Sequence, residues 1–151
     1  MKAAYESALK LLTIRARGRR ELARALEERG FTAAAAADAI EVLEREGWLN
    51  DLAAARAAVR TRAGRYGRAR LERELAARGF PAETIGTALA ELDPEAEEKA
   101  LSRLFARLWR ASAGSPADKR RRRVWSALSR RGFSAEAISA KMNVWRKGDE
   151  S

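Results

Sequence analysis

One tripeptide, Arg-Gly-Phe, occurs three times in this chain, each time with its glycine four residues after a leucine. The segments are Leu22–Phe31, Leu71–Phe80 and Val124–Phe133, with Leu26, Leu75 and Leu128 ahead of Gly30, Gly79 and Gly132. The glycines stand 49 and then 53 residues apart, so a unit of that size is used three times. Periods of this length mark repeat architectures. A glycine closing a helical stretch supplies the left-handed residue just past the helix end, and an apolar pair on either side completes a Schellman ending. Leu26–Phe31, Leu75–Phe80 and Leu128–Phe133 are those pairs. Thr32 and Ser134 then stand where a new helix wants an N-cap, and Pro81 falls at a tolerated helix start.

The segments around these turns carry helical periodicity. Ala36/Ala39/Ile40/Leu43 and Ile85/Ala88/Leu89/Leu92 follow i, i+3, i+4, i+7 spacing, and Ile138 and Met142 take the matching places in the third unit. Tyr5/Ala8/Leu9/Leu12 and Leu101/Leu104/Phe105/Leu108 predict a helix ahead of the first and third turns. Asp51 to about Arg62 predicts a weaker, Ala-rich one with Leu52, Ala55 and Val59. Asn50 is a cap for it, while Asp93-Pro94 and Ser115-Pro116 open later helices. No alternating strand pattern competes. The expectation is an all-α fold of about nine helices in three tandem three-helix repeats, 1–49, 50–93 and 94–151, stacked as an elongated solenoid. The tail after Trp145 is expected to fray, and Trp48, Trp109 and Trp145 read as core or helix-end packing.

Composition narrows function. The 151 residues include no Cys and no His, which removes thiolate zinc sites, Cys nucleophiles and the Ser-His-Asp arrangement. No phosphate-binding Gly-Lys-Ser/Thr loop or metal spacing occurs, so neither catalysis, cofactor nor metal is expected. No long apolar run exists for a membrane span or signal peptide, and a reducing cytoplasm fits.

The net charge of +10 favours a polyanionic partner. It is unevenly spread: +1, +2 and +7 over the three units. Lys119, Arg120, Arg121, Arg122 and Arg123 crowd the start of a predicted helix, where the macrodipole disfavours cations and a compensating anion is therefore expected. Arg130 and Arg131 extend that patch, and Arg19-Arg20 and Arg68/Arg70 are basic at matching positions. Trp125 lies where the other units have Ala23 and Glu72, off the apolar stripe. There it either stacks on a base or a partner, or turns inward. Gly64-Arg65-Tyr66-Gly67 reads as an interhelical turn, with Arg65 and Arg68 within reach of phosphate.

Taken in order, Gly47-Trp48-Leu49-Asn50-Asp51, then Gly67 through Phe80 with its Leu71, Leu75 and Gly79, then Asp118-Lys119, then Leu128 through Ser134 resemble the RecX regulatory proteins of bacteria. The resemblance runs from Tyr5 to about Met142. It implies tandem three-helix repeats that bind a RecA-type recombinase filament on DNA. It further implies limits on filament extension, strand exchange, ATP hydrolysis and LexA self-cleavage. The family usually shows an aromatic about three residues after Asn50-Asp51, where this chain has Ala54. The partners expected are a RecA-type filament and single- and double-stranded DNA through phosphate contacts, with no membrane and a monomeric chain. The competing reading is a basic helical DNA-binding module with no recombinase partner. Against it, the helices after the Gly-Phe turns are Ala-rich and poor in base-reading side chains.

Overall fold

A computed structural model of the chain describes residues 2–150, with side chains through Trp145. Among the described residues there are nine helices and no strand: α1 Lys2–Ile14, α2 Arg19–Glu28, α3 Ala33–Arg45, α4 Asp51–Arg62, α5 Arg68–Ala77, α6 Ala82–Ala90, α7 Pro94–Ala111, α8 Ala117–Arg130 and α9 Ala135–Glu150. The tail expected to fray after Trp145 is instead helical as far as Glu150, although its side chains lie outside the described residues.

The three Gly-Phe turns are Schellman endings in full. Gly30, Gly79 and Gly132 have φ of 95°, 89° and 91°. The following Phe N–H groups donate to Leu26, Leu75 and Leu128 carbonyls at 3.1, 3.2 and 3.2 Å. The glycine N–H groups donate to Glu27, Ala76 and Ser129. A fourth such ending, unread in the sequence, closes α3: Gly47 has φ 83° and the Trp48 N–H donates to the Leu43 carbonyl at 2.9 Å. Its aromatic does not pack inward. Trp48 is 62% exposed, which corrects its expected packing role. Helix starts behave as read: Thr32, Asn50, Asp93 and Ser134 accept from Ala35, Ala53, Glu95 and Ala137 backbone N–H groups at 3.0–3.1 Å.

The chain divides into two compact units, Met1–Arg60 with Glu74–Glu91, and Thr61–Arg73 with Leu92–Ser151. In the first, Ala8, Leu11, Leu22, Leu26, Ala36, Ile40, Leu43 and Leu49 form a core with half-buried Phe31 against it. The buried line of α1 is Ala4, Ala8 and Leu11, with Tyr5, Leu9 and Leu12 at its edge. Small Ala side chains let the helix lie close, which rotates the stripe from its expected register. Along α4, Ala54, Ala55 and Val59 are buried while Leu52 is only half-buried. In the second unit Leu101, Leu104, Phe105, Trp109, Val124, Leu128, Phe133 and Ile138 form the core. Phe105, Trp109 and Trp145 cluster there, with ring centroids 5.4–6.3 Å apart.

Each unit also contains one copy of the same joint. In the first, a Cβ on Gly18 would lie 2.6 Å from the Phe80 ring, and Arg78 donates to the Ala16 carbonyl at 3.4 Å. The Arg19 N–H, an orphan at the start of α2, donates to the Asp51 carboxylate at 2.7 Å. In the second, the Gly67 N–H donates to the Arg131 carbonyl at 2.6 Å, and Arg131 donates to the Arg65 carbonyl at 3.1 Å. The Arg68 N–H donates to Glu97 at 3.2 Å. Residues 16, 18 and 19 thus recur as 65, 67 and 68, and 78–80 as 131–133. The arginine of the tripeptide is the clamp of this joint, and a carboxylate from the helix two further on, Asp51 of α4 or Glu97 of α7, completes the N-terminus it meets.

Candidate nucleic-acid interface

The sequence implies a compensating anion for the start of α8; at the matching basic starts of α2 and α5 the protein supplies its own, since Asp51 and Glu97 meet those N-termini. The N-terminal turn of α8 holds Asp118, 3.8 Å from Arg121. Basicity at a helix start therefore marks the joint in two places and an open surface in one.

The eleven residues proposed from sequence all fall in the second unit. They divide there into exposed cations and structural ones. Lys119, Arg121, Arg122, Arg123, Arg130, Arg65 and Arg68 are exposed. On α8, Lys119, Arg122, Arg123 and Arg130 lie on the helix side away from buried Val124 and Leu128, because 100° per residue carries them there.

Arg120 has turned inward. Its Nε and an Nη donate to the Trp109 carbonyl at 3.0 and 2.5 Å, and its guanidinium lies 3.9 Å from the Trp109 ring centroid. It caps the end of α7 and lids the core, so its charge is already engaged. Trp125 is half-buried and packs against the same core, the inward of the two alternatives left open by the sequence.

Arg131 and Arg70 belong to the joint. Arg70 donates to the Arg130 carbonyl at 3.1 Å, and the guanidinium groups of Arg62, Arg70 and Arg131 surround the Tyr66 ring at 4.8, 4.3 and 5.8 Å. This arrangement brings Arg65 and Arg68 beside the carboxyl end of α8, although they lie some 60 residues from it in sequence.

The same positions in the first unit use a different chemistry. Glu21 replaces Arg70, and Arg78 donates to it at 3.0 Å while Arg15 pairs with it at 3.1 Å. Burial pushes the Glu21 carboxyl up, but Arg78, Arg15 and the Gly18 N–H together outweigh this and hold it below the usual range.

Sequence reasoning passed over α7. Lys99, Arg103, Arg107 and Arg110 are all exposed and recur at helical spacing. Their period was legible, but Glu95, Glu97 and Glu98 at the helix start give the segment a mixed charge. Among the described residues, no cluster of His, Cys, Asp or Glu is placed to hold a metal ion. No helix there is long and apolar enough to cross a membrane.

Three family profiles match the chain in succession: RecX, first three-helix domain, over residues 4–43; second, over 50–89; third, over 95–142. The chain is 42% identical over 128 residues to Regulatory protein RecX of Streptomyces coelicolor, covering 83% of this chain and 68% of that one. It is 37% identical over 137 residues to the protein of the same name from Xanthomonas axonopodis pv. citri, covering 89% and 83%. Among solved structures it resembles RecX from Lactobacillus salivarius, with TM-score 0.82, 19% identity and 94% of each chain covered. A second RecX crystal structure gives TM-score 0.84 at 22% identity, over 94% of this chain and 71% of that one.

Proposed function

The chain belongs to the RecX family of regulatory proteins, and on that premise we propose that it binds a RecA-type recombinase–DNA filament and restrains it. The restraint falls on strand exchange, ATP hydrolysis and the LexA-coprotease activity. The protein acts in the cytoplasm, as a monomer and without catalysis of its own.

The observation that carries the DNA half of this reading is the exposed cation set of the second unit: Lys119, Arg121, Arg122 and Arg123, with Arg130, Arg65 and Arg68. Such cations meet phosphates, which fix position without reading sequence. Among the described residues the helices after the turns expose no set of Asn, Gln or Arg suited to base edges, so recognition falls to the filament rather than to a sequence.

The test is binding of the full chain to a mixed-sequence single-stranded oligonucleotide, bare and coated with recombinase and ATP. Affinity is expected to rise sharply on the coated strand, with ATP hydrolysis falling in step. Equal affinity for both, with hydrolysis unchanged, would overturn the proposal in favour of a plain DNA-binding module.

A further inference from the structure

We propose that the exposed face of α7 is a second anion-binding surface, a track for one nucleic-acid backbone; the inference rests on the function proposed above. Lys99, Arg103, Arg107 and Arg110 follow one another at steps of four, four and three, on the side opposite buried Leu101, Leu104 and Phe105. Four residues of α-helix advance about 6 Å, so the charges form a line about 16 Å long. Among the described residues none of the four is ion-paired.

A merely solvated helix face alternates charge, because opposite signs at i, i+4 stabilise and like signs destabilise. Here Lys99/Arg103 and Arg103/Arg107 are like-signed i, i+4 pairs, and the opposite-signed pair on the line, Glu95/Lys99, stands only at its amino-terminal end. The free helix bears that repulsion, and a polyanion lying along the face relieves it.

The stripe also connects to the cations already described. Toward its amino-terminal half, Arg103 donates to the Gly64 carbonyl at 2.7 Å, which sets the turn bearing Arg65 beside it. Toward its carboxyl end, Leu108, Ala111 and Ser112 of α7 and its cap share a groove of about 280 Å³ with Arg123, Ala127 and Arg130 of α8. Arg107 stands one turn before Ala111 on that flank. Between the cations lie Ala106 and Ser102, whose hydroxyl is turned to Glu98 at 3.4 Å, and the face carries no Asn or Gln for bidentate base contacts, so the ligand is a phosphate backbone of any sequence.

The test measures salt dependence of binding to a single-stranded oligonucleotide, and separately to the recombinase-coated strand. Arg107→Gln with Arg110→Gln removes two charges and keeps good helix formers; Arg103 is left in place because it holds the Gly64 carbonyl. Each lost contact lowers the slope of log K against log salt by about 0.7, so the double variant is expected to lose roughly 1.4 with its thermal melt unchanged. The companion variant replaces Arg121, Arg122 and Arg123 with Ala. If the companion lowers the slope and the α7 variant does not, the α7 track is overturned while the proposed function stands. If neither does, the DNA half of that function falls as well. If the α7 variant loses only binding to the coated strand, the face meets protein and the track is overturned.

Discussion

Gly67 and Gly132 meet backbone to backbone: a Cβ on Gly67 would lie 2.5 Å from the Gly132 carbonyl carbon, and one on Gly132 would strike the Arg70 backbone. The two positions are 65 residues apart, and neither tolerates a side chain. Glycine is required at Gly132 twice over, since its φ of 91° already excludes most L residues.

A graded series follows. Gly30→Ala meets open space and bears only the left-handed backbone penalty, about 1–2 kcal/mol. Gly132→Ala adds a backbone collision and is expected to cost clearly more. Gly67→Ala, with no φ penalty, reports the collision alone. Urea unfolding of the three variants ranks them; equal losses at Gly30 and Gly132 would show that the joint opens without cost.

The phenylalanines of the three turns are not equivalent. Phe80 and Phe133 are each 5% exposed, whereas Phe31 is half-buried. Truncating Phe80 or Phe133 to Ala is expected to cost about 3 kcal/mol, and Phe31→Ala distinctly less. Thermal melts of the three variants check this order.

Acid should loosen the first joint through Glu21. Its folded carboxyl titrates below the unfolded value of about 4.3, so its stabilisation is complete above that value and is lost as pH falls through the folded one. Glu21→Gln is expected to destabilise at neutral pH and to converge on the parent protein as pH falls through the folded value of the carboxyl. A difference that stays constant over this range would mean that Arg78 holds the joint without the carboxylate.

Arg120 and Arg122 are neighbours but one turn of function apart. Arg120→Ala removes two hydrogen bonds and the cation over Trp109, at a cost of about 1–2 kcal/mol. Arg122→Ala, on the exposed side, is expected to stay within about 0.5 kcal/mol. Denaturation curves separate them, and DNA affinity at fixed low salt is expected to fall for Arg122→Ala even though its stability is kept.

Much of the fold was legible because turns and caps are local chemistry. The Leu-Gly-Phe spacing and the caps at Thr32, Asn50, Asp93 and Ser134 need only neighbours in sequence to work. The Gly47 ending has the same spacing with Trp in place of Phe, so it was readable and was missed. The joint was not readable, since Gly18 and Gly67 are explained only by the loops that reach them from about 60 residues away. The interface was half legible for a related reason. A guanidinium binds a carbonyl, an aromatic face or a phosphate with the same donors and charge. Sequence therefore could not separate Arg120 and Arg131, which serve the fold, from Arg122 and Arg123, which face water.

The joint is one-way along the sequence. Each later turn seats on the glycine that opens the middle helix of the repeat before it, at Gly18 and at Gly67. The first repeat carries a finished turn of the same kind, with nothing within 4 Å of a Cβ on Gly30. The third has Arg120 where the others have that opening glycine, and Arg120 is spent on Trp109. The same seat in the sequence is thus an open socket twice and, at its third occurrence, is filled by a side chain that latches onto its own core.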